Sequence, residues 1–285
     1  MDGLMGIRRP TDRAESELIR IAEEEIRQNY GDVVSVARKA KTLFKFGAND
    51  VVGTSPETIW ATGGDETYVN TNTINKISSS SGDDTGDILV EGHTIDSNYK
   101  SKFAVQTVTL TGTTKATLSV PLARVTRLAY LGSADLAGTV YCYEDDTTTT
   151  PGVPDTASKI HAQCAAPQNQ TLKCATTISN VDYWIITDLT VGVKRNNSAA
   201  ADFEVQIREI GNPNQTFRSV LFLSASTEGP VTLNISPPLV VPRNHDFRIR
   251  GVASTTGVAL SAGANGFLAK VIGRRGDDGI IREVA

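Results

Sequence analysis

Apolar residues recur along this chain with two different periods, and the change between them falls near Gly47. In the N-terminal segment Leu18, Ile19, Ala22, Ile26 and Tyr30 fall at helical spacing on one face, with carboxylates and guanidiniums opposite. That spacing predicts an amphipathic helix. Asp12 is placed to cap it, with Glu15 three residues on to complete a capping box. Acidic residues gather early (Glu15, Glu17, Glu23, Glu24, Glu25) and Arg38, Lys39, Lys41 and Lys45 come late, a gradient that complements a helix dipole. Gly31 is expected to split the segment in two. The apolar face has two possible partners, the chain's own β domain or a neighbouring subunit or other protein. Ahead of it, Gly6 to Pro10 reads as an extended tail whose Arg8 and Arg9 suit an acidic surface. Leu18, Ile19, Ala22, Ile26, Tyr30, Arg8 and Arg9 are thus the candidate partner-binding residues.

Beyond Gly47 the period becomes two. Ile88 and Val90 alternate with Leu89 and Glu91, Ala116, Leu118 and Val120 with Thr117 and Ser119, and Val140 and Cys142 with Tyr141 and Tyr143. Alternation with threonine-rich outer positions predicts half-buried antiparallel strands. Between Phe103 and Leu110 the phase slips, since Phe103 and Val105 share one parity and Val108 and Leu110 the other; a bulge would reconcile them. Later, Leu189, Val191 and Val193, then Phe203, Val205 and Ile207, then Phe247 and Ile249 repeat the pattern with charged partners. With Thr171 to Ile178, Phe217 to Leu223, Val231 to Ile235, Leu239 to Val241 and Gly266 to Ile272 this predicts about eight strands, the count of a two-sheet jelly roll, with a Greek-key sandwich as the nearest competitor. Pro237, Pro238 and Pro242 confine their segment to an edge or a crossing.

The expected fold is therefore mainly β: an N-terminal amphipathic helical arm followed by two antiparallel β-sandwich modules, the second jelly-roll-like. The divisions are a docking arm over 1–46, a first β module over 47–145, a linker over 146–158 rich in Asp, Thr and Pro, a second module over 159–275 and a tail over 276–285. The tail's Ile280 to Val284 suits strand addition to a neighbour's sheet edge.

Composition narrows the function. The 285 residues are 39% hydrophobic and 21% charged, with a net charge of −4 and no basic stripe in the β region, which argues against nucleic acid as a partner. No apolar run suits a membrane span or a secretory leader, so the expectation is a chain made in a cytoplasm. Cys142, Cys164 and Cys174 lack metal-ligand or disulfide-framework spacing and read as buried core residues. His93, His161 and His245 stand far apart, with no HExxH or similar motif. Ser81 to Asp87 holds three carboxylates but lacks the spacing and terminal glutamate of an EF-hand loop, and reads as a solvated hairpin loop. No nucleophile elbow, phosphate loop or dinucleotide fingerprint occurs. The expectation is a protein with no catalytic, cofactor-binding or metal-ligating residues, and not an enzyme.

A resemblance adds to this. The run Leu43-Phe44-Lys45-Phe46-Gly47-Ala48-Asn49-Asp50-Val51 leading to Glu57 through Gly64, then Ile77 to Ser81, Val90-Glu91-Gly92, Gln106 to Gly112, Arg124 to Arg127, Ala137 to Val140 and Asn169 to Leu172, resembles virion structural proteins of tailed bacteriophages. It spans roughly Leu43 to Ile272 and rests on turn and strand sequences. It implies a capsid decoration (cement) or head fibre protein, localised to the virion and assembled in the host cytoplasm. The implied partners are the major capsid protein or a neck or portal-associated protein, and a homo-oligomer, with a trimer favoured; no nucleic acid and no membrane are implied. The alternative is a host glycan-binding fibre or tail adaptor.

Overall fold

The computed structural model describes residues 33–36, 41–194, 199–211, 216–226, 229–275 and 281–282. Its strands in chain order are β1 (Val33–Val36), β2 (Lys41–Val52), β3 (Glu57–Thr58), β4 (Ile74–Ser79), β5 (Asp87–Ile95), β6 (Ser101–Thr109), β7 (Ala116–Leu122), β8 (Arg124–Tyr130), β9 (Thr139–Glu144), β10 (Ile160–Ala165), β11 (Ala175–Thr177), β12 (Asp182–Lys194), β13 (Ala200–Glu209), β14 (Arg218–Ser226), β15 (Val231–Val241), β16 (His245–Ala253), β17 (Val258–Arg275) and β18 (Ile281–Arg282). Every ladder among the described residues is antiparallel. The protein is thus mainly β, as the alternation demands.

The ladders form four sheets around two cores. Sheets β10-β9-β4-β7 and β6-β5-β8 face each other across Ile74, Ile77, Ile88, Val90, Leu122, Leu128, Val140 and Cys142. Sheets β2-β17-β12-β15 and β11-β16-β13-β14 enclose Trp184, Leu189, Val191, Phe203, Val205, Phe247, Ile249 and Leu260. Trp184 meets Phe247 edge-on at 4.8 Å, and both are fully buried core anchors. Side chains at every second position fill each core, and threonine, serine and charge take the other face.

Strand pairing differs from the sequence reading in several places. Residues 41–46, expected to close the helical arm, belong to β2, which pairs with β17 from Lys41↔Leu268 to Val52↔Val258. The reason is local: Leu43, Lys45 and Gly47 turn inward while Phe44 and Phe46 turn outward, a period of two that the late basic residues obscure. The remainder of the expected arm, including Arg8, Arg9, Leu18, Ile19, Ala22, Ile26 and Tyr30, lies outside the described residues. By pairing, residues 41–58 join the second pair of sheets, because β3 also adds to β16. Conversely β10 pairs with β9 of the first. The stretch 146–158 therefore returns the chain to its own sheet and is not a spacer. Its acids are consumed locally: Asp155 accepts hydrogen bonds from Thr147 Oγ1 at 2.7 Å and from the Thr149 amide at 2.8 Å, and Asp146 pairs with Lys159 at 2.9 Å. The chain passes between the two units through 59–73 and again through 166–174.

Three finer differences follow. β6 runs against β5 in unbroken register from Asp87↔Thr109 to Ile95↔Ser101, so the expected bulge is absent; Phe103 and Val105 instead occupy the outer face. Val231 to Ile235 and Leu239 to Val241 are one strand, β15, at the sheet's end as its prolines require, with the irregularity at Ile186 to Asp188 of β12. β18 adds to this chain's own β17, Arg274 opposite Arg282.

Candidate functional site at the junction of the two units

The two units meet over polar contacts more than apolar ones. A small apolar group, Ile95 and Ala123 from the first unit with Ile210 from the second, sits beside a buried charge network. Asp246 of β16 is fully buried. Its Oδ1 accepts from Arg124 Nε at 2.9 Å and Thr177 Oγ1 at 2.7 Å, and its Oδ2 from Arg124 Nη2 at 3.0 Å and Arg208 Nη2 at 2.7 Å. Burial alone would raise this carboxyl; the two guanidiniums override it and hold the group at about 2. The Tyr68 ring lies 5.1 Å from the Arg124 guanidinium and 4.7 Å from that of Arg208, so one aromatic ring packs against both cations that hold Asp246.

Two further welds flank it. Lys173 Nζ donates to Glu66 Oε1, to the Val125 carbonyl at 2.9 Å and to the His161 carbonyl at 3.0 Å, using all three ammonium hydrogens. Asn244 accepts from the Ser101 amide at 2.8 Å and donates to the Tyr99 carbonyl at 3.0 Å. A fourth contact, Lys45 Nζ to the Thr126 carbonyl at 3.1 Å, ties β2 to β8.

Between these welds a cleft of about 970 Å³ opens. One wall is the outer face of β5 and β6. On β5, Ile88 and Val90 enter the core, so Glu91 and His93 project the other way, opposite Val105 and Phe103 of β6. Gly92 permits the close approach of β8 here, since a Cβ would fall 2.2 Å from the Arg124 carbonyl oxygen. The opposite wall comes from β2, β17 and the segment 176–182, and carries Lys45. His93 is 3% exposed and meets the Phe103 ring edge-on at 5.4 Å, yet its Nδ1 has no hydrogen-bond partner among the described residues. Burial lowers His93 to about 3, leaving it neutral near pH 7. Burial likewise lowers Lys45 to about 8, with Glu91 opposing. The cleft thus offers a cation in partial desolvation, a neutral imidazole and a half-exposed aromatic ring.

The other residues singled out in the sequence are structural. Asp84 of the candidate calcium loop is buried and accepts from Ser79 Oγ at 2.5 Å and from the Ala137 and Gly138 amides at 2.8 and 3.0 Å, and no group of three metal-ligating side chains occurs among the described residues. Cys142, Cys164 and Cys174 are buried thiols, each pushed up to about 12 by burial. His161 contacts Glu144 at 3.3 Å, and His245 Nδ1 contacts the Arg243 carbonyl at 2.8 Å. Sequence reasoning did not single out Lys45, Glu91 or Phe103 as site residues. The phase slip at Phe103 and Val105, two apolar residues on a face otherwise polar, was the available signal.

No protein-family model and no curated protein matches the chain. Among solved structures, similarity is found to the N-terminal CBM22-1–CBM22-2 tandem domain of Paenibacillus barcinonensis Xyn10C, at 8% identity and a TM-score of 0.24, over 81% of this chain and 93% of that one. It is found also to a structure of the infectious bursal disease virus Gt strain, at 9% identity and a TM-score of 0.21, over 87% of this chain and 77% of that one. At these scores neither likeness carries an argument.

Proposed function

We propose that this chain is a structural component of a tailed-bacteriophage virion, a capsid decoration or head fibre protein that docks through its N-terminal residues and displays two β-sandwich modules, the second jelly-roll-like. The observation that carries the reading is apolar surface on strands with an open edge or face. Phe44 and Phe46 of β2 stack at 6.5 Å with Phe44 61% exposed, and Phe222 of β14 is 70% exposed on a strand that, among the described residues, pairs only with β13. Solvent-facing aromatics on such strands suit burial against neighbours in a repeating assembly. The welded junction fits the same role, because a rigid two-unit body transmits its docking geometry to both modules. The proposed partner is the major capsid protein or a neck or portal-associated protein, the proposed state a homo-oligomer, trimeric by preference, and the proposed role non-enzymatic.

The test is deletion of residues 1–32, which leaves β2 intact. We expect a folded protein that no longer co-sediments with particles. Incorporation at the full-length level would overturn the docking role.

A further inference from the structure

We infer that the cleft between the two units binds a sugar acid, with its carboxylate at Lys45, a face of its ring against Phe103 and a hydroxyl at His93 Nδ1. The inference does not rest on the virion reading, since the lining residues on which it is argued all belong to this chain.

Three observations converge on it. First, among the described residues His93 Nδ1 is a buried polar atom without a partner, on a side chain that lines the cleft; a ligand reaches it only with a shift of the ring, and such atoms are seldom left unmatched. A neutral imidazole donates or accepts, which matches a hydroxyl. Second, among the described residues no carboxylate lies within ion-pair distance of Lys45; its ammonium donates to the Thr126 carbonyl at 3.1 Å, and Glu91 acts on it from further away. The two acids that line the cleft are already engaged, Glu91 by Arg127 at 3.5 Å and Asp182 by Ser179 Oγ at 2.5 Å. The vacant charge complement is therefore negative. Third, Phe103 lines the cleft and is 50% exposed, so its ring is available to the C–H side of a sugar ring. The volume lies at the upper end of the roughly 300–1,000 Å³ that small-molecule sites span. An apolar acid would leave His93 unmatched, and a neutral sugar would leave Lys45 unmatched.

Titration of the full chain with sodium glucuronate and with glucose, followed by calorimetry and by ligand-observed NMR, tests this. We expect glucuronate to bind with a Kd of about 1 mM and glucose at least about tenfold more weakly. Phe103→Ala, at a half-exposed position, and Lys45→Met should each weaken glucuronate about tenfold while the circular dichroism spectrum is unchanged. Absence of glucuronate binding at about 50 mM, equal affinity for glucose, or an affinity that Phe103→Ala leaves unmoved would each overturn the inference.

Discussion

Arg124 and Asp246 stand 122 positions apart and meet as a buried bidentate pair, Nε to Oδ1 at 2.9 Å and Nη2 to Oδ2 at 3.0 Å. Arg124 belongs to β8 of the first unit and Asp246 to β16 of the second, so this pair joins the units, while the Arg208 and Thr177 contacts to Asp246 lie within the second. Removing one member of such a pair costs more than the pair is worth, because the other charge is left buried and alone.

Asp246→Ala should therefore be the more severe change, stranding two guanidiniums, with a loss of about 3–5 kcal/mol in urea denaturation. Arg124→Met should cost less, because Asp246 keeps Arg208 and Thr177. The double variant should be clearly sub-additive. Additive losses would mean that the two residues do not act as a pair.

Acid should weaken the fold in a definite window. Burial holds His93 at about 3 and His161 at about 4, against an ordinary 6.5. Between those values the unfolded chain binds protons that the folded chain does not. Stability present above pH 6.5 is thus lost as pH falls through that range, at up to about 1.4 kcal/mol per pH unit for each histidine. Asp246 extends the same trend from 3.8 toward about 2. Denaturation midpoints measured across this range should fall steadily, and His93→Gln should flatten the slope; a flat wild-type profile would contradict the assignment.

Gly47 is where β2 crosses the second unit's core most closely. A Cβ there would lie 2.1 Å from the Ile59 carbonyl oxygen and 2.3 Å from the Cys174 nitrogen, both backbone atoms that cannot rotate away. Gly47→Ala should destabilise by at least about 2 kcal/mol. Gly82→Ala, with open space around the added carbon, should stay within about 0.5 kcal/mol. Thermal melts of the two variants give the comparison.

Truncation separates β2 from what precedes it. Removal of residues 1–32 should leave both units soluble and cooperative. Removal of residues 1–52 takes away a 12-residue strand, including the core residue Val52, and uncovers the β17 ladder beside it. That product should aggregate or bind hydrophobic dyes, and equal solubility of the two truncations would contradict the placement of β2.

The β character and most strands were legible in the sequence, because alternation such as Leu189, Val191, Val193 writes one buried face directly into the residue order. Phe247 was legible as core for the same reason, through its alternation with Ile249. What sequence order could not show was partnership. β2 resembles the end of a basic helix until Leu268 and Val258 stand beside it, and β10 follows a proline-rich stretch that looks like a spacer until its acids are seen to close on Thr147, Thr149 and Lys159. The cleft was hidden in the same way. Its residues come from β2, β5, β6, β8, β11, β12 and β17 and the turn 178–181, and the one local trace was a pair, Phe103 and Val105, on the face opposite to the core. A bulge explains such a trace as well as a second covered face does, and only long-range contacts separate the two.

The proposed role is tested most directly by quantitative mass spectrometry of particles purified from infected host cells in which this chain is made. We expect the chain in purified particles at a fixed copy number per particle, in a multiple of three. Its absence from particles, with all of it recovered as free protein, would contradict the role.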